Sequence, residues 1–168
     1  MKIAIAVEEQ SAFGASWELL ETRLRESIKG ETKLLFMKQN VRKPFINELK
    51  GFAPDVLVTT DLAGFEQCTL TDNISYNLLS CKQIHLLLHE NLPNEKYLEK
   101  QLSIAMFFYC VGDAYYDALK NKYPNLPYLK KIQGWQIGED EHAMEKNAEI
   151  LSAILQEVSV ECGMACTT

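Results

Sequence analysis

Basic residues are outnumbered in this sequence: 17 lysines and arginines stand against 23 aspartates and glutamates, for a formal net charge of −6. Sequence-independent binding to nucleic acid needs a basic face that releases counterions from the phosphates. Binding to an anionic membrane surface needs a basic face as well. We therefore expect no nucleic-acid partner and no membrane partner.

Long apolar runs are also missing. The N-terminal run, Ile3 to Val7, is followed by two acids and is too short for a signal-peptide core or a membrane span. The five cysteines are odd in number and scattered, which is typical of reduced thiols rather than of a disulfide framework. We expect a cytoplasmic protein in which Cys81 and Cys110 are small core residues.

The sequence lacks both the dinucleotide-binding fingerprint and the P-loop pattern with its lysine. The loop after the first apolar run has one glycine, Gly14, shortly before a helix that Ser16 is expected to cap. The adjacent Glu8 and Glu9 would repel a phosphate. Nucleotide binding by this loop is therefore not expected.

What the sequence does have is a repeated alternation of short apolar runs and amphipathic segments. The runs at 55–60 and 83–88 predict buried strands with a helical segment between them. The same pattern predicts further strands at 3–7, 33–38, 104–111 and 128–132, and helices at 17–29, 44–50, 74–81, 94–100, 114–122 and 139–157.

Connections of this length between strands predict a parallel sheet with helices on both faces. We expect a three-layer, doubly wound α/β domain of the Rossmann or flavodoxin-like type, with five or six strands. By analogy with other doubly wound folds, the expected strand order is 3-2-1-4-5. Residues 1–160 should form this single domain, and residues 161–168 a flexible tail.

Polar residues follow the predicted strands at their carboxyl ends, which is the edge where open parallel sheets bind ligands. An acid/base pair or a divalent cation such as Mg²⁺ could use these carboxylates, although no resident cofactor is assigned. The alternative is that the loop acids cap helices, with Asp113 most simply an N-cap. The candidate catalytic residues are Asp61, His89 and Glu8, and the candidate ligand-binding residues are Glu9, Ser11, Gly14, Thr60, Gly64, Glu90, Asn91, Gly112 and Asp113.

Other residues that could carry chemistry have simpler structural interpretations. His85 lies in the middle of a predicted strand and is expected to be a core histidine. His142 falls on the polar side of the last helix. Four tyrosines follow the fifth strand: Tyr115, Tyr116, Tyr123 and Tyr128. Their commoner role is packing on helix faces, although they could also stack on a sugar or a base.

The segment from Asp55 to Gly64 resembles the third strand of a response-regulator receiver domain, in which an aspartate at the strand end accepts a phosphoryl group. That resemblance would give the phosphoryl-accepting role to Asp61 and the metal-binding roles to Glu8 and Glu9. The lysine that this family has after its fifth strand is absent between Tyr109 and Asp113, and the chain runs well past the end of a receiver.

The segment 52–65, together with 80–90, 105–119 and 127–132, resembles the N-terminal Rossmann-like half of GT-B-type glycosyltransferases. The resemblance implies an acceptor-binding half in which His89, Asp61 or Glu8 is a base. The donor of these enzymes binds to a second Rossmann half that is not found in this sequence.

The leading expectation is thus a stand-alone glycosyltransferase-like domain that binds a small or glycan-like ligand, or a second protein subunit, without catalysis of its own. A homodimer is compatible with this role. The alternatives are a hydrolase or transferase that uses Asp61, Glu8 and His89, and a degenerate receiver-like signalling module.

Overall fold

The computed structural model describes residues 1–8, 14–37, 42–60, 81–88, 106–126, 128–136 and 140–163. In this part of the chain the strands are β1 (Lys2–Glu8), β2 (Glu31–Met37), β3 (Val56–Thr59), β4 (Lys82–Leu87), β5 (Met106–Cys110) and β6 (Leu129–Lys131). The helices are α1 (Gly14–Ser27), α2 (Arg42–Phe52), α3 (Asp113–Lys122) and α4 (Glu141–Glu161). The helices predicted at 74–81 and 94–100 lie outside the described residues, apart from Cys81.

All neighbouring strands of the six-stranded sheet are parallel, in the order β2-β1-β3-β4-β5-β6. The predicted α/β class and parallel sheet are confirmed. The predicted order 3-2-1-4-5 is wrong, because β3 pairs with β1 through Ile3 and Val56 and leaves β2 at the outer edge. Apolar runs show which segments become strands but not which strands are neighbours, so an order taken from analogy had no support in the residues.

The two faces of the sheet form separate cores, and among the described helices two cover each face, which gives the three layers. Alternate residues of a strand point to opposite faces. Burying a large aliphatic side chain contributes roughly 1.5–3 kcal/mol, so each core is a major source of stability. The α1/α4 face includes Ile3, Ile5, Val58, Ile84, Leu86, Leu24 and Leu151, and the α2/α3 face includes Ala4, Leu35, Leu57, Phe108, Leu49 and Leu119.

Two predicted helix caps are corrected. The helix α1 begins at Gly14, so Ser16 lies inside it and does not cap it. The N-cap of α3 is Gly112 rather than Asp113, which is the first residue of the helix. Gly112 has φ of 100°, a conformation that favours glycine, and this allows the chain to turn directly from β5 into α3. Asp113 is still favourably placed, because a carboxylate interacts well with the positive end of the helix dipole.

The amino ends of the strands form one edge of the sheet, and hydrogen bonds to main-chain groups join the strands there. The Asp55 carboxylate accepts a 2.7 Å bond from the Lys2 N–H, and the Asp55 N–H donates to the Lys2 carbonyl at 2.9 Å. The Lys82 N–H donates to the Asp55 carbonyl at 2.9 Å, so one residue joins three strands. The described helices include none that is long and apolar enough to cross a bilayer.

Candidate functional site

The strand order reverses at the carboxyl edge between β1 and β3. From β1 the chain continues to β2 on one side of the sheet, and from β3 it continues to β4 on the other. Such a reversal is the place where doubly wound sheets leave room for a ligand. Glu8 ends β1 and Thr60 directly follows β3, so two of the predicted site residues lie at this point of the fold.

Thr60 joins the ends of β1 and β3 at this point. Its N–H and its hydroxyl both donate to the Ala6 carbonyl, at 3.2 and 3.3 Å, and its side chain is buried. These bonds hold the ends of the two strands side by side. The hydroxyl oxygen can still accept a hydrogen bond.

Gly112 and Asp113 lie at the same edge but farther along it. The Asp113 carboxylate pairs with the Lys131 ammonium at 2.8 Å. This hydrogen bond is the largest cause of the raised pKa of Lys131. The Lys131 ammonium also lies 4.8 Å from the centre of the Tyr116 ring. Three strand spacings separate β1 from β5, which is roughly 14 Å at the usual spacing. No single ion can therefore contact both Glu8 and Asp113.

His85 is a core histidine, as predicted, and not an acid/base group. It is fully buried, its Nδ1 lies 2.5 Å from the Thr59 hydroxyl oxygen, and its ring stacks on Phe108 at 5.3 Å. Burial lowers the pKa of His85 to about 3, so the ring is neutral at physiological pH. His142 is exposed, in agreement with its predicted solvated position.

The remaining sequence-based candidates fall mostly where the structure gives no description. Gly14 is described and begins α1 at the carboxyl edge. Among the described residues there is no group of acids, histidines or cysteines that could hold a metal ion. The candidates outside the described residues are Asp61, His89, Glu9, Ser11, Gly64, Glu90 and Asn91.

A pair of tryptophans at the same edge was not anticipated from the sequence. Trp17 lies in the first turn of α1, and Trp135 follows β6, with ring centroids 6.1 Å apart and an interplanar angle of 37°. Both side chains are partly exposed. They are the only two tryptophans in the sequence, and their meeting at one edge could not be inferred without the position of α4.

Asn147 of α4 holds Trp135 in place. Its amide group donates to the Gln136 carbonyl at 2.9 Å and accepts from the Gln136 N–H at 2.8 Å, and Asn147 is 1% exposed. A buried side chain that satisfies both main-chain groups of one residue fixes that segment. The sequence carried a signal here, because Asn147 falls on the apolar face of the helix, between Met144 and Leu151.

The described cysteines and tyrosines are structural. Cys81 and Cys110 are buried and form no disulfide, and burial raises the pKa of these thiols to about 11 and about 12, which makes them poor nucleophiles. This agrees with the predicted core role. The four tyrosines pack against the two cores, in agreement with the predicted packing role. Tyr115 is buried, and the other three are partly buried: Tyr116, Tyr123 and Tyr128.

Comparison with known proteins assigns neither a family nor a function to the chain. No protein-family model and no curated protein matches the chain. Among solved structures it is similar to Smu.1420 from Streptococcus mutans UA159, with 13% sequence identity and a TM-score of 0.41 over 94% of this chain and 100% of that one. A similarity of this size carries no argument about function. The topology of the sheet places this chain among α/β proteins with a Rossmann or flavodoxin-like fold.

Proposed function

We propose that this chain is a glycosyltransferase-like Rossmann domain that binds a small glycan-like ligand at the carboxyl edge of its sheet and does not transfer sugar alone. The observation that carries the proposal is the reversal of the strand order between β1 and β3, whose carboxyl ends lie at Glu8 and beside Thr60. The described residues form one sheet of this kind. Transfer would need a second site to position the donor, so binding is the function that one sheet supports.

The partly exposed tryptophans support a ligand that carries a sugar ring. Sugar rings present apolar C–H groups that pack on aromatic rings, and Trp17 and Trp135 place two such rings together at the carboxyl edge. The formal charge of −6, together with the glutamate at the end of β1, disfavours a bare phosphate. We infer a cytoplasmic location because the cysteines that the structure describes form no disulfide.

The test uses the intrinsic fluorescence of the two tryptophans, since both lie at the proposed site. Maltotriose and UDP-glucose are titrated separately, and saturable quenching or a spectral shift with either supports the proposal. Glu8→Gln should weaken that response about tenfold or more, which corresponds to roughly 1.4 kcal/mol. Glu31→Gln, at the amino end of β2, is the matched control and should bind like the parent protein. No response to either probe would overturn the proposal.

The strand order favours one alternative, a receiver-like signalling module. Receiver domains share the order 2-1-3-4-5 of the first five strands, and Asp61 follows the third strand in the sequence. Against this, β5 ends at Cys110 with no lysine after it. A modification that depends on acetyl phosphate and Mg²⁺ and is lost in Asp61→Asn would favour the receiver-like function. Its absence, with a sugar response present, would favour the glycan-binding function.

A further inference from the structure

The two outer strands of the sheet, β2 and β6, differ in how readily a further strand could pair with them. The outer strand β6 has three residues, two of them lysines, and these lysines pair with Glu157 and Asp113. A short, charged strand is a common protection of a sheet edge. The outer strand β2 has seven residues in unbroken register with β1, with no proline or glycine.

The main-chain groups of β2 that point away from the sheet can be assigned. The Glu31 N–H donates to the Met1 carbonyl at 3.0 Å, so Glu31 faces β1. Main-chain groups alternate in direction along a strand, so the outward-facing residues are Thr32, Leu34 and Phe36. In the part of the chain that the structure describes, no strand pairs with this side of β2.

The side chains of these outward-facing residues are also incompletely covered. Leu34 and Phe36 point toward the α1/α4 face, where they pack only partly buried against its core. Leu35 and Met37, on the other face, are buried. An added strand would therefore gain both main-chain hydrogen bonds and contact with apolar side chains.

We propose that β2 pairs antiparallel with β2 of a second copy of this chain, about a twofold axis at Leu34. Thr32 would then face the second copy's Phe36, and Leu34 would face Leu34. These outward-facing pairs would each exchange two main-chain hydrogen bonds. The same axis places Glu31 opposite Met37 and Lys33 opposite Leu35 of the second copy, so no like charges oppose each other. A segment that pairs with itself in this way fits a symmetric dimer, the commonest oligomer of soluble proteins.

The dimer is tested by sedimentation velocity of the full chain from low micromolar to submillimolar concentration. The parent protein should shift from monomer to dimer with increasing concentration. Leu34→Pro removes an N–H that points away from β1, a position where an outer strand accepts proline, and should abolish the shift. Leu34→Ala, which keeps that N–H, is the matched control and should still dimerise. A parent protein that stays monomeric throughout would overturn the proposal.

A second measurement decides the case if Leu34→Pro does not fold. Amide hydrogen exchange of the parent protein is compared at the lowest and highest concentrations. The amides of Thr32, Leu34 and Phe36 should exchange at least tenfold more slowly in the concentrated sample, because they become bonded between copies. A dimer in which these amides show no added protection would place the interface elsewhere and overturn the proposal. Neither measurement depends on a ligand, so its result is independent of sugar binding.

Discussion

The amino and carboxyl edges of the sheet differ in what the structure places there. At the amino edge, residues 28–30 before β2 and 53–55 before β3 are connections of three residues each, and main-chain bonds such as the one from the Glu31 N–H to the Met1 carbonyl join the chain there. At the carboxyl edge, the strand order reverses between β1 and β3, and two partly exposed tryptophans meet. We therefore expect substitutions at the amino edge to change stability, and we propose that binding occurs at the carboxyl edge.

The largest effect is expected from Gly30→Ala at the amino edge. An added Cβ would clash with the Met1 carbonyl oxygen, and a main-chain atom cannot move aside without displacing the chain around it. We expect a loss of about 3 kcal/mol, at the upper end of typical overpacking, measured by urea unfolding. The matched control is Gly51→Ala in α2, where no atom lies within 4 Å, and it should keep or raise stability by up to about 1 kcal/mol. Equal effects of the two changes would show that the amino edge is not closely packed.

Just below the carboxyl edge, His85 should make stability depend on pH. Its folded pKa of about 3 lies below the ordinary value of 6.5, so the unfolded chain binds the proton first as pH falls. Stability is then full above about pH 6.5 and falls toward pH 3, with a slope from this group of up to about 1.4 kcal/mol per pH unit.

The combined change Thr59→Val and His85→Leu removes this contribution together with both partners of the hydrogen bond. Urea unfolding at pH 7 and pH 5 should show a smaller loss in this variant than in the parent protein. Asn121→Gln, a change at an exposed position without a titratable group, is the control and should keep the parent slope. An unchanged slope in the combined variant would contradict the neutral, buried state of His85.

Asn147→Leu should loosen the carboxyl edge while the amino edge stays intact. The change leaves the Gln136 N–H and carbonyl without the bonds that the structure gives them, at an expected cost of about 2 kcal/mol. Tryptophan fluorescence should shift to the red, because Trp135 becomes more exposed to water. Asn121→Leu, on the exposed side of α3, should change stability by no more than about 0.5 kcal/mol and leave the spectrum as it was. A parent-like spectrum in Asn147→Leu would refute the anchoring role.

The smallest effect is expected from Ala53→Gly, again at the amino edge. Ala53 directly follows α2 and has φ of 48°, a left-handed conformation that strains residues with a Cβ, and its N–H donates to the Leu49 carbonyl at 3.0 Å. Glycine removes the strain but makes the unfolded chain more flexible, so we expect a net gain of roughly 0.5 kcal/mol. Urea unfolding of the two proteins measures the difference, and a loss of stability would show that the turn is unstrained.

The class of the fold could be predicted from the sequence because apolar runs such as Ile3 to Val7 are visible without tertiary contacts. The strand order could not be predicted, because the pairing of β1 with β3 depends on long-range packing that no local pattern encodes. For the site, residues that end strands, such as Glu8 and Thr60, could be found by their position. The contact between Trp17 and Trp135 could not be found in this way, because it depends on how α4 packs against α1.

The most direct test of the division between the edges is the set of amide chemical shifts measured by NMR during titration with maltotriose or UDP-glucose. We expect saturable shifts for Thr60 and for the indole groups of Trp17 and Trp135, with Glu31 and Asp55 unchanged. Shifts concentrated at Glu31 and Asp55, or no shifts with either probe, would contradict the placement of binding at the carboxyl edge.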